Sequence, residues 1–266
     1  MAPRSHMFWL VRGGNDPAQC EDACAADDGA GRYAVADGAS EGCFSRLWAA
    51  ILVRAFVQNG GPRPDQWCGS LAAAQSQWDA DARGRVLRPS AERGVRQGAF
   101  ATFLGIVLEN SPLPLAGEEP GARAGCCRWQ AVAVGDTCLM HTRAGVLLHA
   151  FPLQSPLQFG NQPHLVGSRM PADEVRQRQM FWADGLGQPG DRLWAMTDAL
   201  AQWSLAAQEN GDNPWSELEP LLARPTLPAA AGWAGGEGGL FAEWIQRLRD
   251  SRQLKNDDVT LLAIEP

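Results

Sequence analysis

The stretch WQAVAVGDTCLMHTRAGVLLHAF, residues 129–151, decides the fold class. It holds three apolar runs, Trp129 to Gly135, Thr137 to His141 and Gly145 to Phe151, the first two split at Gly135-Asp136. Short runs broken by turn-forming residues predict a meander of antiparallel strands. Outward from it lie other strand-like runs: Gly98 to Leu108, Arg32 to Asp37, and Met7 to Arg12 on one side, Arg192 to Thr197 and Val259 to Ile264 on the other. Between them, Phe44, Leu47, Trp48, Ile51, Leu52, Ala55 and Phe56 recur at spacings of three and four, which predicts an amphipathic helix over Glu41 to Gln58. Helices are also expected over Asp65 to Asp81, Ala199 to Gln208 and Phe241 to Arg249. Segment 111–125 reads as an exposed loop, 152–188 as loop-rich, and 209–239 as loop with a short helix. Strands and helices are grouped instead of alternating as βαβ units, so the expected class is α+β in a two-layer or sandwich arrangement.

Composition narrows the function classes. A length of 266 residues suits one domain spanning 1–266, and 45% hydrophobic with 20% charged residues is ordinary for a folded chain. The net charge of -7 and the lack of an Arg/Lys cluster argue against a nucleic-acid partner. Lys255 is the only lysine. No run of apolar residues is long enough for a membrane span, and MAPRSHMFWLVRGG lacks the features of a signal peptide, so a cytoplasmic protein is expected. The histidines at 6, 141, 149 and 164 lack zinc-site spacing, and the cysteines form no CxxC pair. Any metal would be held by oxygen. His141 and His149 flank an expected hairpin and receive no role, and the many tryptophans are assigned to core packing.

Acids fall where the apolar strands stop or start. AVAD ends at Asp37, AVAVGD at Asp136 and LWAMTD at Asp198, while Asp257 precedes VTLLAI. Taken singly, an aspartate at a strand end is usually a turn or cap residue, and Glu21-Asp22 reads as a solvated loop pair. Jointly they suggest more. Antiparallel neighbours place one strand's end beside the next strand's start, so these carboxylates are expected at one sheet edge. Their mutual repulsion would be relieved by a hard divalent cation, and an all-oxygen set favours Mg²⁺ or Mn²⁺ over Zn²⁺.

The motifs CEDA, AVADGAS, GAFATFLG, AVAVGDTCLMH, LWAMTDAL and NDDVTLLAI occur in an order that resembles the metal-dependent type 2C protein serine/threonine phosphatases in a bacterial form, over about residues 7 to 264. The resemblance implies a central sandwich of two antiparallel sheets flanked by helices, with a pair of Mn²⁺ or Mg²⁺ ions at one end. It implies that Asp37 bridges both ions and Gly38 offers its carbonyl. Asp198 and Asp257 would hold one ion, and Glu21 the other through water with Asp22 in support. Asp136 with Asp198 would hold a looser third. The implied chemistry is hydrolysis of phosphoserine or phosphothreonine by a metal-bridging hydroxide, on a phosphoprotein in the circuit of a bacterial Ser/Thr kinase. The sequence carries no GxSxG motif or P-loop that would suggest another mechanism.

Four positions depart from the family pattern. Pro17 stands where members carry the arginine that grips the phosphate, Cys20 replaces Asn, and Ala199 replaces Gly; at the fourth, Asp258, many members have Asn, though related bacterial phosphatases also show DDxT. Arg12 or Arg32 is the expected substitute for the missing arginine. The alternative reading is a phosphatase-like regulatory module that binds without catalysis.

Overall fold

In the computed structural model, which describes residues 3–39, 44–61, 63–83, 97–110, 126–178, 180–223 and 239–266, two antiparallel sheets stack face to face with helices on both outer surfaces. The first sheet has the order β2-β3-β4-β5-β9, from β2 (Ala23–Asp27), β3 (Arg32–Gly38), β4 (Phe100–Asn110), β5 (Cys127–Val134) and β9 (Met180–Gly187), with β8 (Val166–Gly167) paired to β4. The second has the order β1-β11-β10-β6-β7, from β1 (Arg4–Leu10), β11 (Val259–Glu265), β10 (Asp191–Met196), β6 (Cys138–Arg143) and β7 (Val146–Phe151). The predicted meander therefore splits: β5 belongs to one sheet, and β6 and β7 to the other. Gly135-Asp136 is the corner between them.

Two-residue alternation sorts each strand between the layers. In β3, Tyr33 and Val35 enter the space between the sheets, while Ala34 and Ala36 face the helices. These alanines leave room for α1 (Ser45–Asn59), which packs beside α2 (Pro64–Arg83) and buries Trp48, Ile51, Leu52 and Phe56. The Phe56 ring meets Phe103 of β4 edge-on at 5.4 Å. On the far side, Met140, Trp194, Met196 and Leu261 pack against α4 (Asp198–Glu209), α5 (Trp215–Leu222) and α6 (Leu240–Asp250) through Trp203, Trp215, Trp244 and Ile245. Trp48, Trp67 and Trp78 are buried on the first side and Trp194, Trp203 and Trp244 on the second, whereas Trp182 of β9 is exposed. Truncating one of the buried tryptophans to alanine would cost about 3–5 kcal/mol. The layer order is helix, sheet, sheet, helix, as the resemblance implied.

Several local expectations need correction. Segment 152–188 is loop-rich over its first part, as expected, but its second part also contains β8, α3 (Ala172–Arg178) and the eight-residue strand β9. Glycines at 185 and 187 disguised β9, yet Gly185 lies directly opposite Trp129 in the ladder, and a Cβ there would come within 2.5 Å of the Trp129 ring. The indole fills the place of the missing side chain. Strand β2 was also missed, because an edge strand of Ala and Cys carries little β-propensity. The first helix begins at Ser45, and residues 41–43 of its expected span lie outside the described residues, as do 111–125 and, within 209–239, residues 224–238. Helix α5 supplies the short helix expected in the last of these.

Candidate metal centre

Antiparallel pairing sends the C-terminal ends of β3, β5 and β10 and the N-terminal end of β11 to the same end of the sandwich. Each end delivers an acid. Asp37 is the penultimate residue of β3, opposite Thr102 in the ladder. Asp136 follows β5 at a corner where Gly135 takes φ 89° and its Cα approaches the His164 carbonyl so closely that a Cβ would lie 2.5 Å from that oxygen. A side chain at 135 would push the corner, and Asp136 with it, out of place. Asp198 opens α4, and Asp257 lies in the turn before β11.

These carboxylates act on one another. Burial, then the negative charges of Asp22, Asp198, Asp136 and Asp257, push the Asp37 carboxyl well above the usual range although the side chain keeps some contact with solvent. Burial and Asp198 push Asp136 up to about 7. Asp22, fully buried, is raised by burial and Asp258, against the opposing hydroxyls of Thr260 and Thr197. Asp198 is raised by burial and Asp257 even though Lys255 pulls it down. Four acids at one strand-end cluster thus share a common destabilisation of their charged forms. Carboxyls raised together in this way make the cluster a candidate functional site.

The surrounding frame is made of hydrogen bonds. Thr197 leaves its cap position on α4 unused: its hydroxyl donates to Asp22 Oδ2 at 3.0 Å and accepts from the Thr260 amide at 2.9 Å, tying β10 to β11 and to the Glu21-Asp22 loop. Asp258 explains its own departure from Asn. Its two oxygens accept from the amides of Arg12 at 2.8 Å and Glu21 at 2.7 Å, a double acceptance that one amide oxygen cannot reproduce with the same geometry. Glu21 also accepts from the Ser45 hydroxyl, and the Gly38 amide donates to the Glu21 carbonyl at 3.2 Å. A Cβ on Gly38 would come 2.9 Å from that carbonyl, so a side chain does not fit at this position.

The sequence-derived acids are brought to one end, but they do not form a ready-made ligand set. Among the described residues, no three His, Cys, Asp or Glu side chains converge as a preformed metal cage. The donor chemistry nevertheless fits a hard cation: the cluster is all oxygen, it carries a like-charge penalty, and Asp136 Oδ1 is buried without a hydrogen-bond partner. The cation actually seated among them is Lys255, whose ammonium lies 2.6 Å from Asp257 Oδ2 and 3.2 Å from Asp198 Oδ2. Sequence reasoning assigned Lys255 no role.

The two arginine candidates separate. Arg32 is at the opposite end of β3 and donates to the Gln58 carbonyl at 2.9 Å at the C-terminus of α1, so it is a helix-end residue and not a phosphate ligand. Arg12 lines a cavity of about 420 Å³ together with Asn15, Glu21, Phe44, Ser45 and Arg46. Arg46 was missed. It sits in the first turn of α1, a turn that contains no acid, and its guanidinium donates to the Ala18 carbonyl in the short 3-10 turn Pro17–Gln19. An arginine at the positive end of a helix dipole is unfavourable unless an anion offsets it. With the helix expected from Glu41, that first-turn position was not visible in the sequence.

Neither a scan against protein-family models nor a search of curated proteins returns a match to the sequence. Solved structures do match. The chain is similar to the Pseudomonas aeruginosa protein PppA, a key regulatory component of T6SS, at 16% identity and TM-score 0.55, covering 100% of this chain and 98% of that one. It is similar to the catalytic domain of the serine/threonine protein phosphatase PstP in complex with two manganese ions, at 18% identity and TM-score 0.56, covering 99% and 97%. The Mycobacterium tuberculosis phosphatase PstP/Ppp follows at 17% identity and TM-score 0.54, covering 100% and 99%. At such identities the shared property is architecture, and the chain therefore has the fold of the type 2C serine/threonine phosphatases.

Proposed function

We propose that residues 1–266 form one phosphatase domain that hydrolyses phosphoserine or phosphothreonine in a protein substrate with the help of two Mn²⁺ or Mg²⁺ ions. The observation that carries this reading is the mutual electrostatic coupling of Asp37 with Asp22, Asp136, Asp198 and Asp257 at one end of a type 2C fold. Asp37, Gly38 and Glu21 would hold one ion and Asp37, Asp198 and Asp257 the other, with Asp136 and Asp198 available to a third. Bound divalent cations would supply Lewis-acid stabilisation of the phosphoryl oxygens and an activated water. The chain's own residues do the rest. Asp258 and Thr197 fix the Glu21-Asp22 loop, and Arg12 and Arg46 line the adjoining cavity with positive charge suited to a phosphate. Together they would take over the grip that Pro17 cannot provide.

The partner class is a phosphoprotein in a bacterial Ser/Thr kinase circuit, and a cytoplasmic location agrees with the fact that no described helix is long and apolar enough to cross a membrane. The test is turnover of phosphoserine and phosphothreonine peptides by purified protein with Mn²⁺, compared with Asp37→Ala and Asp257→Ala. The proposal expects Mn²⁺-dependent turnover in the parent and none in either variant. Full activity in both variants would remove the metal-site assignment. The competing reading, a regulatory module without catalysis, draws on the lack of a preformed ligand cage and on Pro17. Saturable Mn²⁺ binding without turnover on any phosphopeptide would favour it.

A further inference from the structure

Lys255 is the only lysine in the chain, yet its ammonium is the group that bridges Asp198 and Asp257. The backbone that presents it is firmly held. Arg249 donates to the carbonyls of Asp257 at 2.6 Å and Val11 at 3.0 Å, the Asp257 amide donates to the Lys255 carbonyl at 3.0 Å, and Asn256 Oδ1 accepts from the Gly13 amide at 2.7 Å. The side chain itself is 57% exposed, so it can swing to solvent without disturbing that frame.

The identity of this residue is informative in a chain whose other permanent cations are arginines. A guanidinium would lock onto two carboxylates through its rigid fork, whereas an ammonium is a compact, strongly hydrated charge on a flexible stem that returns readily to water. A cation required to leave is better made from lysine.

We infer that Lys255 is a tethered counter-ion: it neutralises Asp198 and Asp257 in the metal-free protein and competes with the incoming divalent cation, which must evict it. This rests on the metal-binding reading of the same acids. The consequence is a protein whose metal-free form is stabilised and whose metal affinity is set lower than its carboxylates alone would give.

The test is calorimetric titration with MnCl₂, together with thermal melts of the metal-free form, on the parent, Lys255→Met and Lys255→Arg. Lys255→Met is expected to bind Mn²⁺ roughly tenfold more tightly, the scale of two partly exposed ion pairs removed from competition, and to melt at a lower temperature when metal-free. Lys255→Arg is expected to bind Mn²⁺ more weakly than the parent. Equal or weaker binding by Lys255→Met, with the parent binding normally, overturns the inference and leaves the metal site standing. Absence of Mn²⁺ binding in all three proteins overturns the metal reading and the inference with it.

Discussion

The two ends of the sandwich treat buried aspartates in opposite ways. At the end away from the strand-end cluster, Asp191 opens β10 with no exposed surface, yet it is fully compensated. Arg143 donates to both its oxygens at 2.7 and 2.9 Å, His141 lies 2.8 Å away, and the Gln188 amide donates at 2.8 Å. Burial pushes its carboxyl up, but these partners outweigh burial and hold it below the usual range. At the other end, burial and neighbouring acids raise the carboxyls of Asp37, Asp22 and Asp136: after burial, Asp22 acts most on Asp37, Asp258 on Asp22 and Asp198 on Asp136. Both ends satisfy the same fold. The difference is that Asp191 is tied by a guanidinium, an imidazole and an amide, whereas the only ammonium among the strand-end acids is Lys255, which reaches Asp198 and Asp257 and leaves Asp37, Asp22 and Asp136 raised.

The largest expected break in this contrast comes from Asp37→Asn. Turnover of a phosphopeptide with Mn²⁺ should fall by about 10³-fold or more, the scale of several kcal/mol of lost charge stabilisation. The metal-free melting temperature should hold or rise, because a repelling charge has gone. Asp191→Asn should do the reverse. It should lower stability by about 2–3 kcal/mol in urea titrations, since it removes charge-assisted bonds from a buried group, and leave Mn²⁺ affinity unchanged.

A smaller effect is expected in the cavity beside the acids. Arg46→Ala should lower kcat/KM for phosphopeptides by roughly tenfold to a hundredfold, the worth of one charge-assisted contact, without altering Mn²⁺ binding in calorimetry. Unchanged kcat/KM would return the phosphate grip to Arg12 alone.

The smallest is a pH effect of opposite sign at the two ends. Asp136 has a folded-state value raised from 3.8 to about 7, so its protonated form favours the native state, and that contribution is lost as pH rises through about 7. The metal-free protein should therefore melt a few degrees lower at pH ~8 than at pH ~5, and saturating Mn²⁺ should remove the difference. Asp191 is lowered instead, so its contribution is present above its ordinary 3.8 and lost only as pH falls below that value. Melting curves across this range with and without Mn²⁺ separate the two.

Much of this was legible in the sequence because the informative residues sit at strand ends. The runs before Asp37, Asp136 and Asp198 are apolar enough to identify as strands, and antiparallel pairing then fixes where their ends lie. What stayed hidden depended on contacts across the chain. Gly185 reads as a breaker until Trp129 is seen to cover it. Arg32 and Arg46 have similar local credentials, and only the fold places one at the far end of β3 and the other beside Glu21. Asp258 and Lys255 sit side by side with Asp257 in KNDD, where one turn conceals three tasks: an acid for the cluster, a clamp on two amides and a tethered charge.

The central claim is that the strand-end acids take up a divalent cation. It is tested most directly by titrating metal-free protein with MnCl₂ in a calorimeter, alongside Asp37→Asn and Asp191→Asn. The account predicts saturable binding in the parent and in Asp191→Asn, and loss of binding in Asp37→Asn. Binding that survives in Asp37→Asn, or no binding in the parent, would contradict it.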